Sequence, residues 1–184
     1  MKPRIDSLIR YPVFADFSPS EMASVARILE LVELSPGEIL FEFGSTGTSM
    51  FFLDVGRIQI DHPTTPGKFK VLASINPPGI FGEMSLLNAE PRSARAVAIR
   101  PSVLWKMDRS SLLTLAEEKH AAAFKIMVWI ASELSNRLRD TNEKLIEIYA
   151  KPFQSIQELK RQLEELTPGF ISKGFSLEED SAAD

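Results

Sequence analysis

Between Ser35-Pro36-Gly37 and Asp108 the chain is cut into short segments rich in β-branched and aromatic residues, each closed by residues that turn a backbone. Glu38 to Phe43 is followed by Gly44-Ser45-Thr46-Gly47, Met50 to Val55 by Gly56, Arg57 to Asp61 by His62-Pro63-Thr64-Thr65-Pro66-Gly67, and Phe69 to Ile75 by Asn76-Pro77-Pro78-Gly79. Strands of this length and spacing, with Gly and Pro between them, predict an antiparallel sandwich or barrel. Ala94 to Ile99 and Val103 to Met107 would close it, with Arg100-Pro101-Ser102 as the connecting turn. The chain is therefore read as mainly β with flanking α.

One stretch interrupts the series. In FGEMSLLNAEPRSARA, Phe81 to Ala96, the run Glu83 to Leu87 has neither turn residues nor alternation, and it predicts a single helical turn set between two strands. Upstream, Ser18-Pro19-Ser20-Glu21 is a helix start, with a capping serine, a proline suited to the first position and an acid that reaches back. Met22, Val25, Ala26, Ile28, Leu29 and Val32 supply the apolar stripe of that helix.

Downstream of Asp108 the period changes again. His120, Phe124, Met127, Ala131, Leu134, Leu138, Thr141, Leu145 and Ile148 alternate by four and three, a heptad seam that runs until Lys151-Pro152. Part of this stripe can lie on the β-domain, while its later half, flanked by Arg137, Arg139, Glu143 and Lys144, pairs with the same helix of a second chain. Phe153, Ile156, Leu159, Leu163 and Leu166 predict a second, short amphipathic helix ending at Thr167-Pro168-Gly169, before an acidic tail from Ser176 to Asp184 that is expected to be disordered. The expected division is 1–110 for the first helix and β-domain, 111–150 for the long helix, and 151–184 for the short helix and tail.

Composition narrows the chemistry. A chain of 184 residues with 44% hydrophobic content holds one substantial core. A formal charge of -4 argues against diffuse attraction to nucleic acid or an anionic membrane, so an anion must be caught locally. With no cysteine and only His62 and His120, thiolate centres, disulfides and a histidine-rich metal site are not expected. No uncharged apolar run reaches about 18 residues, the length that would span a bilayer, which predicts a soluble cytoplasmic protein. His62, His120, Trp105 and Trp129 are read as solvated or packed residues, and Arg95 as an outward-facing charge.

Glu83 and Arg92 carry the functional signal. A guanidinium offers a planar fork for two phosphate oxygens, and a carboxylate accepts from a hydroxyl such as that of a ribose. Gly82 lets the backbone come close, and the amides that open the helical turn, at Met84 and Ser85, face the same place. These features describe a cradle for a sugar phosphate. On spacing alone, an exposed or structural ion pair is the more frequent outcome for such residues.

FGEMSLLNAEPRSARA resembles the phosphate-binding cassette of the cyclic nucleotide-binding domain, the family that includes bacterial catabolite activator (Crp-Fnr-type) proteins, regulatory subunits of cyclic-AMP-dependent kinase and nucleotide-gated channels. LSPGEILFEFGSTGTSMFFLDVGRIQI, Leu34 to Ile60, is similar to the family's first strands, and NRLRDTNEKL, Asn136 to Leu145, to the dimerisation helix of its bacterial regulators. The resemblance covers about residues 10 to 150 and implies a β-roll, or jelly roll, followed by a long dimerisation helix. It implies that Glu83 accepts from the ribose 2'-hydroxyl, that Arg92 and Ser93 bind the cyclic phosphate, that Gly82, Met84 and Ser85 line the cradle, and that Thr141-Asn142 stands where a Thr-Ser pair meets the purine. Thr141 is also read as a polar seam residue that sets helix register.

The expected ligand is cyclic AMP, with cyclic GMP open and no metal. The expected protein is a regulatory sensor rather than an enzyme: a homodimer through the 120–148 helix that signals to an unidentified protein effector. Direct DNA binding is not expected, because the residues after Lys151 contain no pair of helices with a basic recognition face. The alternatives are a structural or dimerisation module of the same fold that binds no nucleotide, and a shortened transcription regulator.

Overall fold

The computed structural model describes residues 2–65, 67–88 and 90–166. The chain divides into two compact units, 1–132 and 133–184. In the first, two antiparallel four-stranded sheets carry helices on one side. The elements are α1 (Ile5–Leu8), a short 3-10 turn (Pro12–Phe14), α2 (Pro19–Ile28), β1 (Glu30–Leu34), β2 (Ile39–Phe41), β3 (Ser49–Val55), β4 (Ile58–Thr65), β5 (Lys68–Ile75), β6 (Gly79–Phe81), α3 (Met84–Leu87), β7 (Arg95–Ala98), β8 (Ser102–Asp108), α4 (Arg109–Glu117) and α5 (Ala121–Leu166). One sheet has the order β1-β8-β3-β6 and the other β2-β7-β4-β5. This is the mainly β, antiparallel jelly roll that the spacing of turns and the resemblance anticipate.

Met50-Phe51-Phe52-Leu53 on β3 is apolar without alternation because the strand is covered on both faces. Phe51 and Leu53 join Leu34, Ile58, Phe81, Ala96, Ala98 and Leu104 in the core between the sheets. Phe52 turns the other way, its ring centroid 5.3 Å from those of Tyr11 and Phe14. On that side Met22, Val25, Leu29, Met107, Leu112 and Leu115 are also buried. The cap of α2 forms as its sequence predicts: the Ser18 hydroxyl accepts from the Glu21 amide, and Glu21 Oε2 accepts from the Ser18 amide at 2.7 Å.

Several local expectations are corrected by long-range pairing. Val32 is not in the first helix: α2 ends at Ile28, and Leu31-Val32 pairs with Leu104 and Trp105 on β8. There the ladder with β8 overrides the weak helical period. β4 runs through His62-Pro63-Thr64 to Thr65 instead of turning there, and the proline is accommodated by a register shift between Pro63 and Thr65 opposite β5. β6, three residues long, is too short to show a period.

Residues 111–150 do not form a single helix. α4 closes where Lys119 takes a left-handed φ of 57°, the Lys119 amide donates to Ala116 and the His120 amide to Leu115. That six-to-one and five-to-two pattern is a Schellman stop, formed here without glycine.

Within the first unit, α5 buries Ala122, Ala123, Ile126 and Ile130, not the heptad seam. Phe124 of the seam is 68% exposed. Alanines let the helix approach closely, and a straight helix of period 3.6 drifts off a strict seven-residue repeat. In the second unit the seam residues Leu138, Leu145 and Ile148 are exposed. The expected break at Lys151-Pro152 and the separate short helix are also corrected, since α5 continues to Leu166. An interior proline costs about 3 kcal/mol. Strong helix formers on either side, with ion pairs such as Arg137 to Glu133 and Arg161 to Glu158, act in the opposite direction. The Thr167-Pro168-Gly169 stop and the acidic tail lie outside the described residues.

Lys125 on α5 donates to Glu21 Oε2 at 2.8 Å and to the Asp16 carbonyl, tying α5 to the start of α2. The hydrogen bond from Lys125, with those from Ser18, holds the Glu21 carboxyl at about 2, below its ordinary 4.5. A carboxyl that titrates lower when folded stabilises the fold above the unfolded pKa, and that contribution disappears as pH falls through the folded one. Melting temperature should therefore fall between about pH 4.5 and 2 in the parent, with a visibly shallower slope in Glu21→Gln. Equal slopes would remove Glu21 from the acid-sensitive set.

Candidate functional site

β6 ends at Phe81, and the chain then bends at Gly82, whose φ of +78° lies in the left-handed region. A Cβ at Gly82 would come within 2.9 Å of Arg92 Nη1 and 3.2 Å of the Ser49 carbonyl, so glycine serves both the bend and the close approach. Glu83 opens α3, and the first amide to turn back is that of Leu86, which donates to the Glu83 carbonyl at 3.0 Å. The chain returns to the sheets through a bridge between Pro91 and Thr46. Arg92 is pinned by its backbone on both sides: its amide donates to the Ser45 carbonyl at 2.9 Å and its carbonyl accepts from Gly44 at 2.8 Å.

Both charges of the cradle are buried, Glu83 at 2% and Arg92 at 5% exposure. They are therefore not an exposed surface pair. Burial pushes the Arg92 guanidinium below its ordinary pKa, and the Glu83 carboxylate acts in the opposite direction. The Arg92 guanidinium lies 4.2 Å from the Phe41 ring centroid and 5.7 Å from that of Phe51. Its Nη1 donates a long 3.3 Å hydrogen bond to the Gly82 carbonyl, and its Nε is buried without a hydrogen-bond partner. A buried charge is costly unless it is well hydrogen-bonded, so this arrangement leaves donor capacity for an anion.

The structure brings Gly82, Glu83 and Arg92 together on one loop system. Ser85 on the same segment is buried, while Met84 is 52% exposed and Ser93 lies exposed beside Arg92. Thr141 and Asn142 belong to α5 in the second unit, both exposed, with the Thr141 hydroxyl donating to the Arg137 carbonyl at 2.7 Å. Sequence reasoning missed Phe41 and took Gly47 for a turn residue. A Cβ at Gly47 would sit 2.7 Å from Arg92 Cζ, which makes it a wall of the guanidinium site.

Arg95 is not an outward-facing charge. Its Nη2 donates to Asp61 Oδ2 at 2.8 Å, its guanidinium stacks 3.6 Å over the Phe69 ring, and Asp61 is 1% exposed. Gln59 Nε2 donates to the other carboxylate oxygen at 2.9 Å. Arg95 and Asp61 face each other across the β4-β7 ladder, a partnership fixed by register. Because loss of one partner strands a buried charge, Arg95→Ala should destabilise the fold by about 3 kcal/mol, with Asp61→Asn added to it recovering part of the loss. Denaturant melts of the two variants against the parent test this, and an unchanged midpoint for Arg95→Ala would refute it.

Among the described residues no helix is long and apolar enough to cross a membrane. Residues 31–119 match the model of the family described as "Cyclic nucleotide-binding domain". The chain is 26% identical over 141 residues to a CRP-like cAMP-activated global transcriptional regulator of Mycobacterium tuberculosis, which covers 77% of the chain and 61% of that protein. It is 30% identical over 112 residues to Acetyltransferase Pat of Mycolicibacterium smegmatis, covering 61% of the chain and 33% of the enzyme. The crystal structure of Thermus thermophilus Catabolite Activator Protein aligns with a TM-score of 0.65 and 27% identity, over 73% of this chain and 62% of that one. The chain thus spans about three fifths of the regulator's length.

Proposed function

We propose, since residues 31–119 match the model of the cyclic nucleotide-binding domain family, that the Gly82 to Ser93 cassette binds a cyclic nucleotide, cyclic AMP foremost, and that the protein is a regulatory sensor. The observation that carries this reading is the buried Arg92, whose Nε lacks a partner and whose Nη1 donates a long hydrogen bond to the Gly82 carbonyl, close enough to buried Glu83 for the two charges to interact. Packing alone gains nothing from a desolvated cation with spare donors. A cyclic phosphate supplies two acceptor oxygens to the guanidinium fork, and the ribose 2'-hydroxyl can donate to the Glu83 carboxylate.

In this reading Ser93 adds its hydroxyl and amide to the phosphate, and Gly82, Met84 and Ser85 line the ribose and phosphate with backbone amides. Thr141 and Asn142 are assigned to the purine. The working division is a sensor domain over 1–110, a long-helix segment over 111–150 and a third segment over 151–184. The role is binding rather than catalysis, exercised by a cytoplasmic homodimer whose second-unit seam, exposed at Leu138, Leu145 and Ile148, is the pairing surface. Ligand shifts the population between helix arrangements only as far as it binds them unequally, and an effector protein reads the result.

Isothermal titration with cyclic AMP, and separately with cyclic GMP, tests the assignment. The parent should saturate near one nucleotide per chain. Arg92→Ala should lose about 3 kcal/mol, on the order of a hundredfold in affinity, because a charged phosphate partner is removed. Binding by Arg92→Ala as tight as that of the parent would end the cassette assignment. Absence of heat with both nucleotides, together with no gain in melting temperature, would favour the structural module instead. Light scattering of the parent and of Leu138→Glu with Leu145→Glu reads the pairing surface: the parent mass should be that of two chains and the variant's that of one.

A further inference from the structure

The Arg92 guanidinium sits in a slot with three walls, two from the 41–47 segment and one from the bend at Gly82. Phe41, on β2, presents its ring 4.2 Å from the guanidinium carbon. Gly47, in the loop after β2, leaves a space that a single methyl group would close, since a Cβ there would lie 2.7 Å from both Cζ and Nη2. Gly82 supplies the third wall, with its carbonyl accepting from Nη1. The slot is rigidly attached to the arginine backbone, because Gly44 and Ser45, between Phe41 and Gly47, hold the Arg92 carbonyl and amide. Phe41 in turn is placed by the β2-β7 ladder opposite Ala96.

A ring face attracts a cation without consuming its N–H donors, whereas a carboxylate or carbonyl in the same place would compete for them. Arginine also has a long, rotamer-rich side chain, and ordering it at the moment of binding costs conformational entropy. A slot that already holds the guanidinium against a ring, with its donors largely unspent, removes that cost before an anion arrives.

We propose that Phe41, with Gly47, is a positioning residue that pre-orients Arg92 for phosphate and so sets the affinity of the site. The proposal rests on the cyclic nucleotide reading for its ligand, but the slot itself can be tested without one. Phe41 lies against the arginine, so it acts through that side chain by fixing where the fork points. An aromatic replacement should preserve the effect and an aliphatic one of similar volume should not.

The test uses the full chain and two measurements. Titration calorimetry with cyclic AMP is run on the parent, Phe41→Tyr and Phe41→Leu. Phe41→Tyr should bind within about twofold of the parent, and Phe41→Leu about tenfold more weakly, a drop equivalent to one decade of dissociation constant. Melting of the ligand-free parent, Phe41→Leu, Arg92→Met and the double variant forms a cycle in which the two single shifts should not add. Equal or tighter binding by Phe41→Leu than by the parent overturns the proposal, as does an equal loss in Phe41→Tyr, which would show that the ring face is not what sets the affinity. If the parent binds neither cyclic AMP nor cyclic GMP, the nucleotide reading fails separately. The melting cycle then decides the slot: additive shifts overturn it, and non-additive shifts support it.

Discussion

The antiparallel pairing of β3 with β8 is the interaction on which the rest depends. Both strands are covered on two faces, so each must supply apolar side chains in both directions. Phe51, Leu53 and Leu104 face the second sheet, while Met50, Phe52, Trp105 and Met107 are also buried. Tyr11 and Phe14 close over Phe52 from the helical side. β6 is hydrogen-bonded to the edge of β3, so the position of Gly82 and Glu83 is inherited from that pair. Removing water from both faces of one sheet is what lets so short a strand as β6 aim the loop that carries Gly82 and Glu83.

The cassette spans the two sheets. It leaves from β6 in one sheet and arrives at β7 in the other, and on the way its two charges are taken out of water. The polar devices along it are handled in opposite ways. Arg95 is paired with a buried carboxylate and lies over a ring, which makes it part of the scaffold, although its Nε too is buried without a hydrogen-bond partner. Arg92, three residues earlier, is given a ring, one long hydrogen bond and an unpartnered Nε. The contrast lies in the partner each guanidinium meets: Arg95 donates to a buried carboxylate at 2.8 Å, whereas Arg92 donates to a backbone carbonyl at 3.3 Å.

Much of the chain was legible before folding was considered. The capping box of α2, the order of strands from Glu38 to Met107, the helical turn after Glu83 and the acid-glycine-base arrangement are all written in residues close together in sequence. The cassette was legible in the same way, because Glu83 and Arg92 stand nine residues apart. Errors gathered where the decisive partner is distant. Val32 belongs to a strand because of β8, Pro63 is tolerated in β4 because of β5, and the stop before His120 depends on a left-handed lysine where a glycine would have announced it.

What the sequence by itself determined is the set of local elements and the chemistry gathered on one loop, since turn residues, caps and short motifs act over a few bonds. Only the tertiary structure decided which face of α5 is buried, that Arg95 meets Asp61, and that Phe41 and Gly47 enclose the Arg92 guanidinium. Those outcomes depend on strand register and on the space left between packed elements. A one-residue shift of register would turn Asp61 or Phe41 to the other face without altering any local propensity.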